Sequence, residues 1–217
     1  MTTPPFIGSS AVLNFTIDEV LEKLDMQILY KSRWKMGNGG EEMLKDLLED
    51  ERILSSMRPA AVYGYFPVYR DGADLILNND VRWEFPELKG EIISEYYKTK
   101  EEGGDFIPLT AVTIGEKAVA LSKEMYKKND YAEYFLLYGL AAECTETLAS
   151  IVNQRINKEL GITKSLRRSF GYPACPDLSY QKPLLQFLEA ERISLSLSTS
   201  NQLIPEFSTT AFIVHNF

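Results

Sequence analysis

The stretch Arg167-Arg168-Ser169-Phe170-Gly171-Tyr172-Pro173-Ala174-Cys175-Pro176 follows the longest helical pattern in the chain and decides how the C-terminal part is organised. Its two prolines fix φ and lack an amide donor, so no helix passes through it. Gly171 permits a positive φ or a close approach to the backbone, and the ring of Tyr172 follows at once. Arg167 offers a planar fork of donors that suits a carboxylate. A ligand-binding loop and a rigid connector both fit this pattern, and composition alone favours the connector.

The composition is typical of a globular protein, with 45% hydrophobic and 25% charged residues among 217. This length predicts one domain over residues 1–217, divided into a helical N-terminal region (1–57) and an α+β body (58–217). The net charge of -8 opposes attraction to phosphate backbones. We therefore expect no nucleic-acid partner.

Cysteine and histidine are scarce: the chain has Cys144, Cys175 and His215. These residues supply neither a disulfide framework nor the ligands of a structural zinc site, so we expect reduced thiols in a cytoplasmic protein. The N-terminus has no basic segment leading into an apolar one, and no run approaches the roughly 20 apolar residues that span a bilayer. The sequence thus predicts neither export nor a membrane partner.

The N-terminal region begins with Thr16-Ile17-Asp18-Glu19, which has the spacing of a capping box. Apolar residues then recur at helical spacing to Leu29, and Asp25 lies beside this stripe. A position at the boundary of a site and an ordinary surface position are both open for Asp25, and periodicity alone favours the surface. The glycine-rich run 36–40 is not a phosphate loop, because Glu41 and Glu42 follow it.

The remaining pattern predicts an α+β fold with a mixed or antiparallel β-sheet and a long central helix. Strand-like runs occur at residues 61–66, 73–77, 81–85, 106–114, 193–198 and 209–214. Helices are expected at residues 115–128, 131–160 and 182–191, with Gly161 ending the longest of them.

The long helix has two faces of interest. Cys144 falls on its apolar face and is expected to be a core thiol. Small residues surround Glu146 on a neighbouring face, which allows close approach to that carboxylate. Ordinary helix packing with a solvated Glu146 is the alternative, and the pattern alone favours it.

Sequence motifs for catalysis are absent. The chain has no Gly-x-Ser-x-Gly elbow, Walker loop or dinucleotide fingerprint, and one histidine cannot support a His-based triad or a histidine-rich metal site. Cys175 has no assignable basic partner and reads as a packing residue. We therefore predict no catalytic side chain and no metal ligand, and expect a site that works through geometry and ligand charge.

The sequence resembles the S-adenosylmethionine-binding activation domain of cobalamin-dependent methionine synthase over nearly its whole length. Arg167 and Gly171-Tyr172-Pro173-Ala174-Cys175-Pro176 are similar to the family signature Arg-x-x-x-Gly-Tyr-Pro-Ala-Cys-Pro. Residues 61–67, 104–108 and 129–131 are similar to further family segments. Three features differ: Arg168-Ser169-Phe170 replaces Pro-Ala-Pro, no late Tyr pair follows, and no cobalamin-binding Asp-x-His-x-x-Gly occurs.

The resemblance implies a binding site for S-adenosylmethionine. Arg167 would pair with the ligand's carboxylate, and Gly171 and Tyr172 would line its adenosyl part. Glu146 and Asp25 match ligand-contacting acids of the family. The implied binding set is Asp25, Glu146, Arg167, Ser169, Gly171, Tyr172, Pro173, Ala174 and Cys175.

By the same resemblance, the chain is expected to be a free-standing reactivation protein. It would support reductive methylation of cob(II)alamin carried by a methionine synthase that lacks its own activation domain, with flavodoxin or a similar protein as electron donor. It would not be a complete methionine synthase. Two alternatives remain open: an activator of a different corrinoid methyltransferase, and a module that only senses S-adenosylmethionine.

Overall fold

The computed structural model describes residues 3–215. Its strands and helices, labelled in chain order, are β1 (Gly8–Ser9), β2 (Leu13–Asn14), α1 (Ile17–Leu21), α2 (Gly40–Glu49), α3 (Glu51–Ser56), β3 (Ala60–Asp71), β4 (Asp74–Leu77), β5 (Val81–Glu84), β6 (Asp105–Thr113), α4 (Glu116–Lys127), α5 (Tyr131–Leu160), β7 (Leu166–Ser169), α6 (Gln181–Leu188), β8 (Ser196–Leu197), β9 (Leu203–Ile204) and β10 (Ser208–Val214). A π-helix occupies Ile28–Arg33, and 3₁₀ turns occupy Ile93–Tyr96, Leu178–Tyr180 and Ala190–Ile193.

One antiparallel sheet organises the fold, with strand order β5-β4-β3-β6-β10-β7. The short strands β1 and β2 pair with the first half of β3. Strand β7 lies at one end of this order and pairs with β10, so that Arg167 lies opposite Ile213. The predicted α+β class with an antiparallel sheet and a long helix is confirmed.

The sheet separates two hydrophobic clusters because successive side chains of a strand point to opposite faces. On β3, Tyr63 and Tyr65 enter a cluster shared with α4 and α5, whereas Val62 and Phe66 enter a cluster shared with α6. Helix α5 packs on the first face, and its buried residues include Cys144, as predicted. This arrangement places one side of α5 beside the edge strand β7.

Helix α5 has the predicted bounds and ends at Gly161, which adopts a left-handed conformation with φ of 65°. By length and composition it is apolar enough to cross a membrane, but 61% of its most apolar window is buried inside the protein. The core helix of a globular fold has the same properties. Within residues 3–215, this helix packs its apolar side chains into the core beside the sheet.

The sequence patterns and the structure differ most clearly at two places. The capping box of Thr16 and Glu19 forms, but α1 ends at Leu21, and a π-helix replaces the expected continuous helix. The break has a local cause, since the Asp25 carboxylate accepts hydrogen bonds from the next free amides. The alternating run 193–198 forms only the two-residue strand β8, because a 3₁₀ turn extends to Ile193.

Candidate functional site

The site centres on an ion pair between Arg167 of β7 and Glu146 of α5. Arg167 Nη2 donates to Glu146 Oε2, and the two side chains are 24% and 39% exposed. Arg167 Nη1 is buried and has no hydrogen-bond partner among residues 3–215. A buried donor without a partner costs free energy, so Arg167 is not fully satisfied by its pairing with Glu146.

A second ion pair lies nearby on the same helix. Arg33 Nε donates to Glu143 Oε2 at 2.9 Å, and the Glu143 side chain is only 5% exposed. Glu143 and Glu146 are three residues apart, so both carboxylates fall on neighbouring positions of one helix face. Each carboxylate is matched by an arginine from another part of the chain.

Three clefts meet at Glu146. The arginine cleft, of about 630 Å³, is lined by Ile28, Arg33, Leu88, Glu143, Glu146, Arg167, Arg168, Ser169, Tyr172, Pro173 and Ala174. The Asp25 cleft, of about 460 Å³, is lined by Lys23, Asp25, Ile28, Glu143, Glu146, Thr147, Ser150, Ile151, Asn153, Gln154 and Arg167. The Glu206 cleft, of about 530 Å³, adjoins them through Glu146, Ser169 and Tyr172 and is lined largely by polar residues.

Asp25 shares its cleft with Glu146 and Arg167, although these residues are far apart in sequence. Its Oδ1 atom accepts from the amides of Gln27 and Ile28 at 2.9 and 3.0 Å. These bonds fix the carboxylate at the start of the π-helix. Three acids, Asp25, Glu143 and Glu146, therefore line a single cleft with Arg167.

The loop after β7 is closed by two backbone hydrogen bonds. The amide of Gly171 donates to the carbonyl of Cys175 at 2.9 Å, and the amide of Cys175 donates to the carbonyl of Tyr172 at 2.8 Å. Gly171 has φ of 81°, which favours glycine. The Tyr172 ring is 65% exposed at the cleft mouth. A tight loop thus holds an aromatic face beside the ion pairs.

The predicted binding residues are not all in the clefts. Ser169, Tyr172, Pro173 and Ala174 line the arginine cleft. Gly171 lines none of the three clefts and instead shapes the loop. Cys175 packs into the core at 1% exposure, and burial, with the nearby Asp177 carboxylate, raises the pKa of its thiol to about 12. Ligand contact by any of these residues stays a prediction.

Comparison with known proteins places this geometry in a family. Residues 15–216 match the family described as "Vitamin B12 dependent methionine synthase, activation domain". The chain belongs to this activation-domain family. Methionine synthase of Mycobacterium tuberculosis is 29% identical over 98% of this chain, and that of Mycobacterium leprae is 27% identical over the same share. The chain spans about a fifth of either relative, 22% in each case.

A solved structure shares the fold of this activation domain. It is the crystal structure of the MetH reactivation domain bound to AdoHcy, with a TM-score of 0.84 and 18% sequence identity. The match covers 99% of this chain and 80% of that one. The predicted resemblance to the activation domain is confirmed.

The activation domain also has cleft residues that the sequence patterns did not indicate, namely Arg33, Leu88, Glu143 and Arg168. Glu143 precedes Glu146 by one helical turn, which is the one signal that a sequence reading offers. Arg33 and Leu88 come from separate segments, and no local pattern relates them to the loop after β7, whereas Arg168 lies beside Arg167 on β7. No group of three or more potential metal ligands occurs among residues 3–215.

Proposed function

We propose that this domain binds S-adenosylmethionine in the arginine and Asp25 clefts and presents it to cobalamin carried by methionine synthase modules. The observation that carries the proposal is the Arg167–Glu146 pair, in which Arg167 Nη1 has no partner among the described residues, in a chain that belongs to the activation-domain family. The related structure, a MetH reactivation domain bound to AdoHcy, supports the same class of compound.

The residues present fit the charges of this ligand. S-adenosylmethionine carries a carboxylate, an ammonium and a sulfonium, and the clefts offer Arg167, whose Nη1 has no hydrogen-bond partner among residues 3–215, together with the acids Asp25 and Glu146. Arg167 Nη1 donates to the carboxylate, while the two acids face the cationic groups. Charge-assisted hydrogen bonds of this kind contribute about 1.5–3 kcal/mol each.

The neutral part of the ligand fits the other side of the arginine cleft. The exposed ring of Tyr172 offers a face for adenine, and Pro173 and Ala174 add apolar wall. The closed loop keeps this face in place before the ligand arrives. Preorganisation of this kind raises affinity, because less of the protein must be ordered on binding.

Arg167, Asp25 and Glu146 would hold S-adenosylmethionine, which when bound would supply a methyl group to the partner's cobalamin, reduced by one electron from flavodoxin or a similar donor, and would leave S-adenosylhomocysteine. The domain contributes binding, orientation and exclusion of water, which together account for much of the rate of a two-partner reaction. This division agrees with a cleft that holds ion pairs and an aromatic face. It also agrees with thiols that are both buried.

The partner and location follow from the same proposal. The relatives that this chain matches are methionine synthases of which it spans 22%, so cobalamin-carrying methionine synthase modules are the proposed partner. We further propose a cytoplasmic location with no nucleic-acid or membrane partner, since the net charge is -8 and both cysteines are free thiols.

The first test is calorimetric titration with S-adenosylmethionine. Arg167→Ala is expected to weaken binding by about 10- to 150-fold through the loss of charge-assisted hydrogen bonds. Arg82→Ala is the matched control, because Arg82 forms surface ion pairs with Asp71 and Asp74 and lines none of the three clefts. Equal affinity of wild type and Arg167→Ala contradicts the proposed site.

The second test adds methionine synthase modules loaded with cob(II)alamin, together with reduced flavodoxin, and follows methylcobalamin by absorbance. Methylation that depends on this domain and on S-adenosylmethionine supports reactivation. Binding without methylation favours the sensing module, for which the replacement of the family's Pro-Ala-Pro by Arg168-Ser169-Phe170 is the motivating observation. If the domain supports methylation of another corrinoid protein but not of methionine synthase modules, the result favours an activator of a different corrinoid methyltransferase.

A further inference from the structure

The segment that carries Asp25 has an unusual conformation. Residues Ile28–Arg33 form a π-helix, and the amide of Trp34 donates to the carbonyl of Leu29 at 2.9 Å. Such turns are rare and occur frequently at functional sites. Ile28, at the beginning of this turn, lines both the arginine cleft and the Asp25 cleft.

The two ends of the π-helix have different attachments. At its beginning, the Asp25 carboxylate accepts from Gln27 and Ile28, and these residues and Asp25 are exposed. At its end, Arg33 donates to Glu143 of α5. The exposed Asp25 carboxylate is thus held by the local turn, and this turn is tied to α5 by the Arg33–Glu143 pair and by the buried residues Leu29 and Trp34.

The attachment to α5 lies next to the ligand-binding carboxylate. Glu143, at 4% residue exposure, is one turn from Glu146. Trp34 lies beside this attachment, where its indole Nε1 donates to the carbonyl of Leu136 at 3.0 Å. A buried carboxylate with a single arginine partner is a strong geometric restraint, because breaking the pair leaves an uncompensated buried charge.

Resting on the proposed function, we infer that Arg33, paired with Glu143, is a positioning residue that holds Asp25 in the cleft shared with Glu146 and Arg167. The π-helix connects the two residues: the Asp25 carboxylate caps its first residue, and Arg33 is its last. Arg33 acts on the ligand through Asp25, and Glu143 acts through Arg33.

The test separates positioning from general stability with a pair of charge-removing variants. Arg33→Met alone leaves Glu143 buried and unpaired, which threatens folding. The double variant Arg33→Met/Glu143→Leu removes both charges and keeps apolar volume, so it is the main reagent. Arg155→Met is the matched control, because Arg155 forms an ion pair with Glu159 on the same helix and lines none of the three clefts.

The first readout needs no ligand. Amide hydrogen exchange at Gln27 and Ile28 is measured in wild type, the double variant and Arg155→Met. If Arg33 positions Asp25, these amides exchange at least about tenfold faster in the double variant than in wild type, because the Asp25 turn opens locally. Arg155→Met is expected to exchange at the wild-type rate. Unchanged exchange in the double variant overturns the inference, whatever the affinity for S-adenosylmethionine.

The second readout is a coupling measurement by titration with S-adenosylmethionine. The double variant, Asp25→Asn and their combination are compared with wild type. If Arg33 acts through Asp25, adding Asp25→Asn to the double variant gives a protein that binds no more weakly than Asp25→Asn alone. The measured affinity of this combination then exceeds the product of the separate losses by about fivefold or more. Independent, multiplied losses overturn the inference. Absence of binding by wild type contradicts the proposed function, and the exchange readout then decides the role of Arg33.

Discussion

Arg167 of the edge strand β7 donates to Glu146 of α5 across 21 residues of sequence, while its other terminal nitrogen, Nη1, is buried and has no hydrogen-bond partner within the described part of the chain, residues 3–215. The pair therefore restrains the arginine without using all of its donors. Because Glu146 is 39% exposed, its ion pair contributes little to stability, whereas the proposed function gives its carboxylate a direct contact with a cationic ligand.

We predict that Glu146→Gln separates these two effects. The free energy of unfolding in urea is expected to fall by less than about 1 kcal/mol, because partly exposed ion pairs contribute little. Affinity for S-adenosylmethionine is expected to fall by about tenfold or more, since a charge-assisted bond is lost. Glu124→Gln, which removes the exposed partner of Lys128, controls for charge. A large loss of stability with unchanged affinity contradicts the prediction.

We predict that the buried Trp34 indole can pack against α5 only because residue 139 is a glycine. A Cβ at this position would lie 2.6 Å from two atoms of the Trp34 indole, which is 2% exposed. Gly139→Ala is expected to lower the free energy of unfolding by about 1–3 kcal/mol through overpacking. Urea unfolding measures the loss, and a red shift of tryptophan emission reports movement of the indole.

The control for this substitution is Gly161→Ala, which changes backbone strain without crowding a side chain. Gly161 has φ of 65°, and a Cβ there meets nothing within 4 Å. Gly161→Ala is expected to lower stability while leaving tryptophan emission unchanged. Equal emission spectra for both variants would show that Trp34 does not depend on Gly139.

Tyr65 gives a pH-dependent prediction. Its hydroxyl donates to Glu159 Oε2 at 2.9 Å, and burial, together with this hydrogen bond, raises the pKa of Tyr65 above its ordinary value. The folded state therefore favours the protonated phenol. Its contribution is complete below the unfolded pKa of about 10 and is lost as the pH rises from there toward the folded value.

Urea unfolding between pH 8 and pH 11 measures this effect. Wild type is expected to lose stability above about pH 10, with up to about 1.4 kcal/mol per pH unit from Tyr65. Tyr65→Phe is expected to lose less over the same interval, because one titrating group is absent. An identical slope in both proteins would assign the alkaline loss to other groups, among them Tyr63, whose pKa is also raised.

The two cysteines are predicted to be inert in the folded protein. Burial and neighbouring acids raise the pKa of each thiol to about 12, and Cys144 and Cys175 are 0% and 1% exposed. Thiol reagents at pH 8 are expected to label neither residue until urea unfolds the chain. Mass spectrometry after timed labelling measures this. Labelling of Cys175 alone in buffer would show that the loop after β7 opens.

The local patterns predicted several elements well. Helix α5 runs over the expected residues because its apolar positions recur at helical spacing and Gly161 ends it in a left-handed conformation. The β3–β5 meander follows from strand-like runs separated by turn residues. The predicted N-terminal helix was too long. The apolar stripe continues to Leu29, but Asp25 caps a new turn, and apolar periodicity does not indicate such a cap.

The candidate site was predicted in part. Arg167, Glu146 and Asp25 were indicated through the family resemblance, and the structure brings them into one cleft. Composition alone favoured a rigid connector after α5 and a solvated Glu146. Arg33 was missed because nothing in its neighbours distinguishes it from a surface arginine.

The sequence by itself determined the helix and strand periodicities, the break at the proline-rich loop and the family signature, because these depend on residues that are near one another in the chain. Only the tertiary structure decided that Glu143 is buried and that Arg33, 110 residues away, is its partner. Such a contact depends on the path of all the intervening elements, and no local propensity encodes that path.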